Sequence, residues 1–372
     1  MINTSYANIP GELQSFQVQI LYGNEIIEID ASKVFELVTR FSYSRGYVSG
    51  YIKLQDTISV FEFVGAYNYI FLRVIAKDCL GLEYDSVYSL TRIEKQNSNH
   101  GAVVYCEFID EFAYVLNSTF LSVGYKNAST PKVLAGVYQK LMDKKIFVHK
   151  KGLNIPSDGF KEHEELVLPG NKSVFAWGLH RSVIDDFVLI DGRDGISIIK
   201  SSDLWSKSIN SKIELKQVLK ASTPFNIREV RLVQDAINST LYLPDSVAFS
   251  TNSNTIIFES NSLDLCAKEI GASLLFPQIN SQIGVKLTDS TNKTIYNMKT
   301  FEMIKLKVTL NSGSYIYNLM QKLKIEVPSA LSLKGFETPM LNGEYVIIAI
   351  EDRITAGILN QTLTLARPGV SK

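Results

Sequence analysis

The chain has 372 residues, of which 45% are hydrophobic and 20% charged, a composition typical of globular proteins and unlike that of disordered chains. A chain of this length can form about two to three domains whose cores need no disulfides or metals. The 38 basic and 38 acidic residues cancel, so no net positive field is available to attract nucleic acid or an anionic membrane.

The cysteines and the hydropathy pattern set further limits. Cys79, Cys106 and Cys266 lie far apart without C-x-x-C spacing, which argues against a disulfide framework or a zinc site. We expect them to be reduced and buried. No apolar stretch reaches roughly 18 residues, so we expect no membrane-spanning segment, and the first residues lack the pattern of a secretory signal.

In chain order, alternation with a period of two predicts mainly β-strands. Ser15–Gly23 and Met303–Leu310 alternate apolar and polar residues, whereas Gly343–Asp352 is apolar on both faces, as expected for a strand covered on both sides. The other predicted strands are Tyr51–Asp56, Ile58–Phe63, Tyr69–Asp78, Ala102–Asp110, Asn254–Ser260 and Gln361–Arg367. The expected fold class is therefore mainly β, with a smaller α+β part.

Two helices are predicted within this β background. Thr130 is the expected N-cap of the first, with Pro131 in its first turn, and the helix closes near Asp143. The second covers roughly Lys172–Ile184, where apolar residues recur four apart. The stretch between the two helices is polar and irregular. This region therefore resembles an α+β unit inserted into a β chain.

The segment Asp186–Lys200, DFVLIDGRDGISIIK, allows three interpretations. Asp191 and Asp194 could be paired catalytic or metal-binding carboxylates. Ser197 and Lys200 match the S-x-x-K pattern of a serine nucleophile activated by lysine. The third interpretation is a β-hairpin, in which two apolar strands flank a Gly-Arg-Asp-Gly turn.

The residue types favour the hairpin. Gly192 and Gly195 can supply the positive-φ positions of a tight turn. Ser197 and Lys200 would point to opposite faces of a strand, whereas the S-x-x-K motif requires a shared helical face. A calcium loop would need more oxygen ligands at alternating positions, and isoleucines occupy those positions instead.

The remaining candidates for chemistry are loosely spaced: His100, His149, His163, Glu164, Glu165, His180 and the pair Asp185 and Asp186. None of the spacings puts two metal ligands on one helical face, so we expect His163 and its neighbours to be solvated loop residues. Asp185 and Asp186 fit a helix terminus. We predict no catalytic residue, no cofactor and no metal site, although a glycosidase carboxylate pair assembled from distant strands stays open.

Three stretches carry a family resemblance. Phe35–Thr57 looks like the paired opening strands of a tube-like barrel and contains Asp56 near its end. Asn171–Lys200 looks like a helix followed by a hairpin, and Gly343–Arg367 like a closing strand pair of G-x-Y-x-V and T-x-L-x-L type. In this order the features resemble the central baseplate hub proteins of contractile-tailed bacteriophages, a family that includes the T4 hub and the N-terminal half of type VI secretion spike proteins.

The resemblance implies two tube-like β-barrel domains with an inserted helix-containing α+β unit. The implied divisions are residues 1–128 for the first barrel, 129–205 for the insert, and 206–372 for a second β domain completed by C-terminal strands. It also implies a structural, non-enzymatic protein of the virion tail baseplate, made in the host cytoplasm. The implied assembly is a homotrimer whose ring joins the tail tube, or its initiator, to the central spike, with wedge proteins as further neighbours. Such a ring adapts threefold to sixfold symmetry and leaves a channel that DNA crosses only in passage.

Two alternatives stay open from the residues. A carbohydrate-binding or glycan-cleaving β protein would need a groove of exposed aromatic residues with two convergent carboxylates. The chain has two tryptophans, Trp177 and Trp205, and this number disfavours an aromatic sugar platform. A distal-tail or tube-initiator protein would use the same tube-like barrels, so the fold alone does not separate it from a hub.

Overall fold

The computed structural model describes residues 10–56, 70–98, 101–144, 152–154, 159–217, 223–233, 246–250, 255–259, 294, 297–298, 301–302, 304–327 and 341–368. The strands of the N-terminal half are β1 (Ser15–Tyr22), β2 (Glu25–Ile29), β3 (Val34–Ser42), β4 (Ser49–Asp56), β5 (Ile70–Lys77), β6 (Glu83–Ser98) and β7 (Gly101–Asp110). The strands that follow are β8 (Val123–Ala128), β9 (Leu153–Asn154), β10 (His163–Leu168), β11 (Phe187–Gly192) and β12 (Gly195–Lys200). The C-terminal strands are β13 (Ile209–Gln217), β14 (Asn226–Val233), β15 (Ser246–Ser250), β16 (Thr255–Glu259), β17 (Ile304–Leu310), β18 (Gln321–Glu326), β19 (Gly343–Thr355) and β20 (Ile358–Arg367).

Three α-helices lie between the two sets of long strands: α1 (Glu111–Ser118), α2 (Thr130–Asp143) and α3 (Val174–Ile184). The predicted N-cap of α2, Thr130, is wrong by one residue. Ser129 occupies the N-cap position, and the Thr130 hydroxyl donates a hydrogen bond to the Asp185 carboxylate. Helix α3 begins at Val174, since the backbone N–H of Ala176 donates to the Ser173 side chain over 3.2 Å. Helix α1 was not predicted.

One sheet of 13 strands dominates the molecule, in the order β18-β13-β14-β17-β20-β19-β3-β4-β7-β6-β5-β1-β2. Strand β18 also pairs with β19, so six of these strands close into a barrel. The expected mainly β fold class is therefore confirmed, with one closed barrel among the described residues where the resemblance implies two tube-like barrel domains. The seven strands of the N-terminal half lie side by side in this same sheet, in the order β3-β4-β7-β6-β5-β1-β2.

Strand β19 belongs to both halves because it is 13 residues long. Its first part, Gly343–Val346, pairs with β18 and closes the barrel. Its second part, from Ala349 to Ile354, pairs antiparallel with β3. Between the two parts the register with β20 shifts at a bulge between Ile347 and Ala349, a feature that bends and twists a strand locally.

Two apolar cores hold the fold together. The larger fills the barrel and the inner face of β3 to β7, and the smaller lies among α1, α2, α3 and β10 to β12. Strand β11 contributes to both cores, because Val188 and Ile190 face the larger core while Phe187 and Leu189 face the smaller one. The period-two alternation of a strand thus connects the helical insert to the sheet.

The cysteine prediction is confirmed for Cys106, which is buried and reduced, and burial raises the pKa of its thiol to about 12. Cys79 is also reduced but only half-buried, so the expectation of burial was wrong there. Cys266 and the predicted strand Ile58–Phe63 lie outside the described residues. Within the described residues, no helix is both long and apolar enough to cross a membrane.

Gly50 in β4 provides a test of the sheet packing. A Cβ at this position would lie 2.0 Å from the Val38 carbonyl oxygen and 2.6 Å from the Phe108 ring, so Gly50→Ala should destabilise the fold by about 1–3 kcal/mol or more. Gly124→Ala is the matched control, because a Cβ there meets no atom within 4 Å. Urea unfolding of both variants measures the difference, and equal midpoints would contradict the packing described for β3, β4 and β7.

Candidate functional site

The Asp186–Lys200 segment is a hairpin, as predicted. Strands β11 and β12 pair antiparallel from Phe187 opposite Lys200 to Gly192 opposite Gly195. Both turn glycines were predicted to have a positive φ. This is confirmed for Gly195, whose φ is +127°, and is wrong for Gly192. Gly192 is required by close approach instead, because a Cβ there would lie 2.7 Å from the Asn318 side-chain oxygen.

Arg193 at the tip of this hairpin is buried against the large sheet. Its side chain is 6% exposed and forms an ion pair with Asp352 of β19, whose side chain is 5% exposed. The guanidinium also donates to the Tyr317 carbonyl oxygen. It lies over three aromatic rings, with its carbon 4.9, 5.9 and 5.4 Å from the ring centres of Phe41, Tyr84 and Tyr315.

A chain of buried hydrogen bonds extends this contact into the N-terminal half. Asp352 accepts a bond of 2.7 Å from Gln361, and Gln361 accepts one of 3.3 Å from the Ser314 backbone. The Ser314 hydroxyl donates over 2.6 Å to Asp78, which follows β5. The network therefore links the hairpin, the barrel and the N-terminal strands through buried polar groups that are hydrogen-bonded to one another.

The charge of Arg193 depends on its partner. Burial alone lowers the pKa of a guanidinium, but the Asp352 carboxylate, together with Tyr84 and Tyr315, raises the pKa of Arg193 above its ordinary value. A buried charge without its partner is strongly unfavourable, so the two residues must be retained or replaced together. We call this cluster the buried anchor: Arg193, Asp352, Gln361, Ser314 and Asp78.

Removing one member of the ion pair should expose this dependence. Arg193→Met should cost about 3–5 kcal/mol of unfolding free energy, because Asp352 is then left buried without a counter-charge. Arg193→Met combined with Asp352→Leu should be less destabilised than Arg193→Met alone. Arg40→Ala is the control: its pair with Glu351 spans 3.1 Å at side-chain exposures of 44% and 36%, so the cost should be at most about 1 kcal/mol. A double variant no more stable than Arg193→Met would contradict this account.

The outer face of the sheet is polar and continuous across the boundary between the halves. In antiparallel strands, residues opposite each other lie on the same face. The register places Arg353 of β19 opposite Val38 of β3, Val38 opposite Tyr51 of β4, and Tyr51 opposite Glu107 of β7. We call this surface the polar face.

Charges of both signs alternate on the polar face. Arg353 contacts Glu36 at 2.9 Å and Glu351 at 3.5 Å, and Arg92 lies 3.9 Å from Glu107. Its basic side chains include Arg40, Lys53, Arg92, Arg231, Lys305, Lys307 and Arg353. Its acidic side chains include Glu36, Glu94, Glu107, Glu229 and Glu351. The face is therefore highly polar and carries charges of both signs.

Two tyrosines lie among these charges. The rings of Tyr51 and Tyr105 are 5.3 Å apart, and Arg40 lies 5.7 Å from the centre of the Tyr51 ring. The Tyr51 hydroxyl donates to Glu36 over 3.1 Å. Partial burial and this carboxylate raise the pKa of Tyr51, so the hydroxyl stays protonated and acts as a donor.

Tyrosines within the barrel should make the fold sensitive to alkali. Burial raises the pKa of Tyr345 to about 12, while a free tyrosine titrates near 10. Since the folded state holds its proton more tightly, the stability is complete below about pH 10 and falls as the pH rises toward 12. Between pH 9 and 11, wild-type protein should lose about 1 kcal/mol more than Tyr345→Phe. Urea unfolding at both pH values measures this, and identical losses would contradict it.

A second polar cluster holds the insert together and corrects one prediction. His163 was expected in a solvated loop, but it begins strand β10 and its side chain is 17% exposed. Its Nε2 lies 2.9 Å from Asp185 and 2.8 Å from Arg181. Asp185 ends α3, as predicted, and its buried carboxylate also accepts a hydrogen bond from Thr130 of α2. The cluster fixes α3 to α2 and β10.

The other predicted residues do not form a site. Glu164 and Glu165 are exposed, as expected, but lie in β10, and His180 is exposed on α3. His100 and His149 lie outside the described residues. Asp191 is buried in β11 and Asp194 is exposed at the turn, where it accepts a hydrogen bond from Asn318.

The remaining candidates also have structural surroundings. Ser197 and Lys200 lie on strand β12, and the Lys200 ammonium is 5.9 Å from the centre of the Phe160 ring. Trp177 is buried and donates to the Val167 carbonyl oxygen over 3.1 Å. Lys322 lies 4.4 Å from the centre of the Trp205 ring. Among the described side chains, no group of three or more His, Cys, Asp or Glu is placed to hold a metal ion.

Sequence comparison and structure comparison give different results. No family model and no curated protein matches the sequence. The structure is similar to the tail protein from Neisseria meningitidis MC58, with a TM-score of 0.56 and 9% identity over 95% of this chain and 96% of that one. It is also similar to the 43 kDa tail protein of prophage MuSo2 from Shewanella oneidensis, with a TM-score of 0.55 and 8% identity over 95% and 97%.

A third neighbour is the prophage tail protein gp18 from Listeria monocytogenes EGD-e, with a TM-score of 0.50 and 10% identity over 95% of each chain. The E. coli c3393 protein, a component of the type VI secretion system, and a Francisella PdpA-VgrG complex align less closely, with TM-scores of 0.48 and 0.49. At these identities the likeness concerns the fold. The chain therefore has the fold of prophage tail proteins along almost its whole length.

Proposed function

We propose that this chain is a structural hub of a bacteriophage tail baseplate. Three copies form a ring that joins the tail tube, or its initiator, to the central spike. The ring adapts threefold to sixfold symmetry and leaves a channel through which DNA passes. The protein has no catalytic step in this role, and it acts through its surfaces alone in the assembled virion.

A repeat within the chain is the observation on which this proposal rests. Five strands of the N-terminal half have counterparts in the C-terminal half. In chain order, β3, β4, β5, β6 and β7 correspond to β14, β17, β18, β19 and β20. The pairing is the same in both sets: β3–β4, β4–β7, β7–β6 and β6–β5 correspond to β14–β17, β17–β20, β20–β19 and β19–β18. One subunit therefore carries two similar units, as a three-chain ring with pseudo-sixfold symmetry requires.

The registers of the two units also agree. Bulges occur between Leu90 and Arg92 in β6 and between Ile347 and Ala349 in β19. A second matching pair lies in β3, between Val34 and Glu36, and in β14, between Ile227 and Glu229. With these bulges aligned, Lys53 opposite Tyr105 corresponds to Thr309 opposite Thr362. Bulges are specific features of a backbone, so this agreement supports two copies of one unit.

The polar face suits the wall of the channel. Each phosphate contact by a cationic side chain adds to the affinity for DNA, so a basic wall would retain the DNA that it should release. Alternating Arg and Glu side chains instead remain hydrated and pair with one another. We propose that the polar face lines the channel, and that residues 1–128 and 206–372 form the two tube-like domains around the insert 129–205.

Measurement of the assembled state tests the proposal. Multi-angle light scattering over a concentration series should give three times the chain mass of 41.7 kDa. Electron cryo-microscopy of that oligomer should show a ring with a central opening that is lined by the polar face. A glycan array tests the alternative function, which is carbohydrate binding.

Three results would overturn the hub. One is a monomer at every concentration together with the absence of a ring in assembled particles. Another is specific glycan binding by a monomer, which would favour the carbohydrate-binding alternative. The third is a sixfold ring of this chain, which would favour a tube-initiator protein instead of a hub.

A further inference from the structure

The joint between the two halves of the chain is a strand pair. Residues Ala349–Ile354 of β19, just beyond its bulge, pair antiparallel with β3 in six consecutive positions. Arg40 and Glu351 are opposite each other in this joint and form an ion pair. The sheet, and the polar face with it, therefore crosses from one repeat unit to the other without interruption.

Each repeat unit also contains a segment that is equivalent, under the repeat, to one of the two strands of this joint. Strand β6 corresponds to β19, and beyond its bulge Arg92–Ser98 pairs with β7 on one side only among the described residues. Strand β14 corresponds to β3, and within the part of the chain that the structure describes, Glu229–Val233 pairs only with β17. Unpaired strand edges bind other strands readily.

We propose that β6 of one copy pairs antiparallel with β14 of the next copy, through the same joint that β19 and β3 form inside each chain. This inference rests on the proposed ring, and it names the surface that closes that ring. The partner is a second copy of this chain, because the segment complementary to β6 is supplied by β14 of the same sequence. A closed ring of such joints leaves neither edge exposed.

The repeat also fixes the register of the new joint. Aligning the bulges makes Glu94 and Gln96 equivalent to Glu351 and Arg353, and Val233 and Arg231 equivalent to Arg40 and Val38. The pairs Arg353–Val38 and Glu351–Arg40 therefore predict Gln96 opposite Arg231 and Glu94 opposite Val233. A shift by one residue would reverse every face, so this register, unlike those one residue away, keeps the polar face continuous.

Two exposed apolar side chains fit this joint. Leu232 is 45% exposed and Ile93 is 37% exposed, and both lie on the side of the sheet opposite the polar face. Leu232 corresponds to Thr39, which is 4% exposed in the joint within the chain. Pairing would remove apolar surface from water in the same way.

Cysteine cross-linking of the full-length chain tests the register. Gln96→Cys with Arg231→Cys places two facing residues at the separation that a disulfide bridges. Gln96→Cys with Glu229→Cys is the matched control, since it stays on the same face but is offset by two residues. Val38→Cys with Arg353→Cys is the positive control within one chain. Wild-type protein reports the background from the native cysteines.

The expected result is that mild oxidation converts most of the Gln96→Cys and Arg231→Cys variant into covalent dimers and trimers on a non-reducing gel. The offset variant should remain largely monomeric there, as should the positive control, which closes a loop within one chain. A trimer by light scattering that does not cross-link through this pair, or that cross-links equally through the offset pair, would overturn the joint and leave the ring intact. A variant and wild type that are both monomeric would overturn the ring and the joint together.

Discussion

The buried ion pair between Arg193 and Asp352 is the constraint on which the arrangement of this molecule depends. A guanidinium can be placed in a protein interior only where a carboxylate and hydrogen-bond acceptors are already positioned for it. Here the carboxylate comes from β19, and an acceptor comes from Tyr317 ahead of β18. The hairpin tip can therefore dock in one place on the sheet, and the insert is fixed relative to both repeat units.

Strand β19 provides that carboxylate because it is the strand shared by both halves. Its first residues close the barrel, and beyond the bulge it carries Asp352 on the inner face and Glu351 and Arg353 on the polar face. Period-two alternation thus separates two electrostatic environments along one strand. On its inner side the ion pair with Arg193 is buried and specific, whereas on its outer side the ion pairs are hydrated and individually weak.

The two faces of the sheet differ in a way that fits the proposed ring and its channel. The inner face must hold two repeat units and an insert rigidly, and it does so with an apolar core and a buried hydrogen-bonded network. The outer face combines charges of both signs with tyrosine hydroxyls. Because its basic and acidic side chains pair with one another, such a surface stays hydrated and holds DNA less strongly than a uniformly basic surface would. At the joint between β19 and β3, the register keeps the polar side chains of both strands on the same face, so the surface continues across it.

The sequence by itself determined the local structure of this protein. Strong alternation located most of the long strands, and the Gly-rich turn between apolar runs identified the hairpin, because these signals depend only on neighbouring residues. The residues themselves show no repeat, and two tube-like domains were implied only by the family resemblance, since two strand units can share pairing and bulges without sharing side chains. Arg193 was missed because a turn residue is ordinarily solvated, and His163 because its partners Arg181 and Asp185 come from another element. Only the tertiary structure decided these burials, since contacts between residues far apart in the chain are created by the packing of the strands and helices.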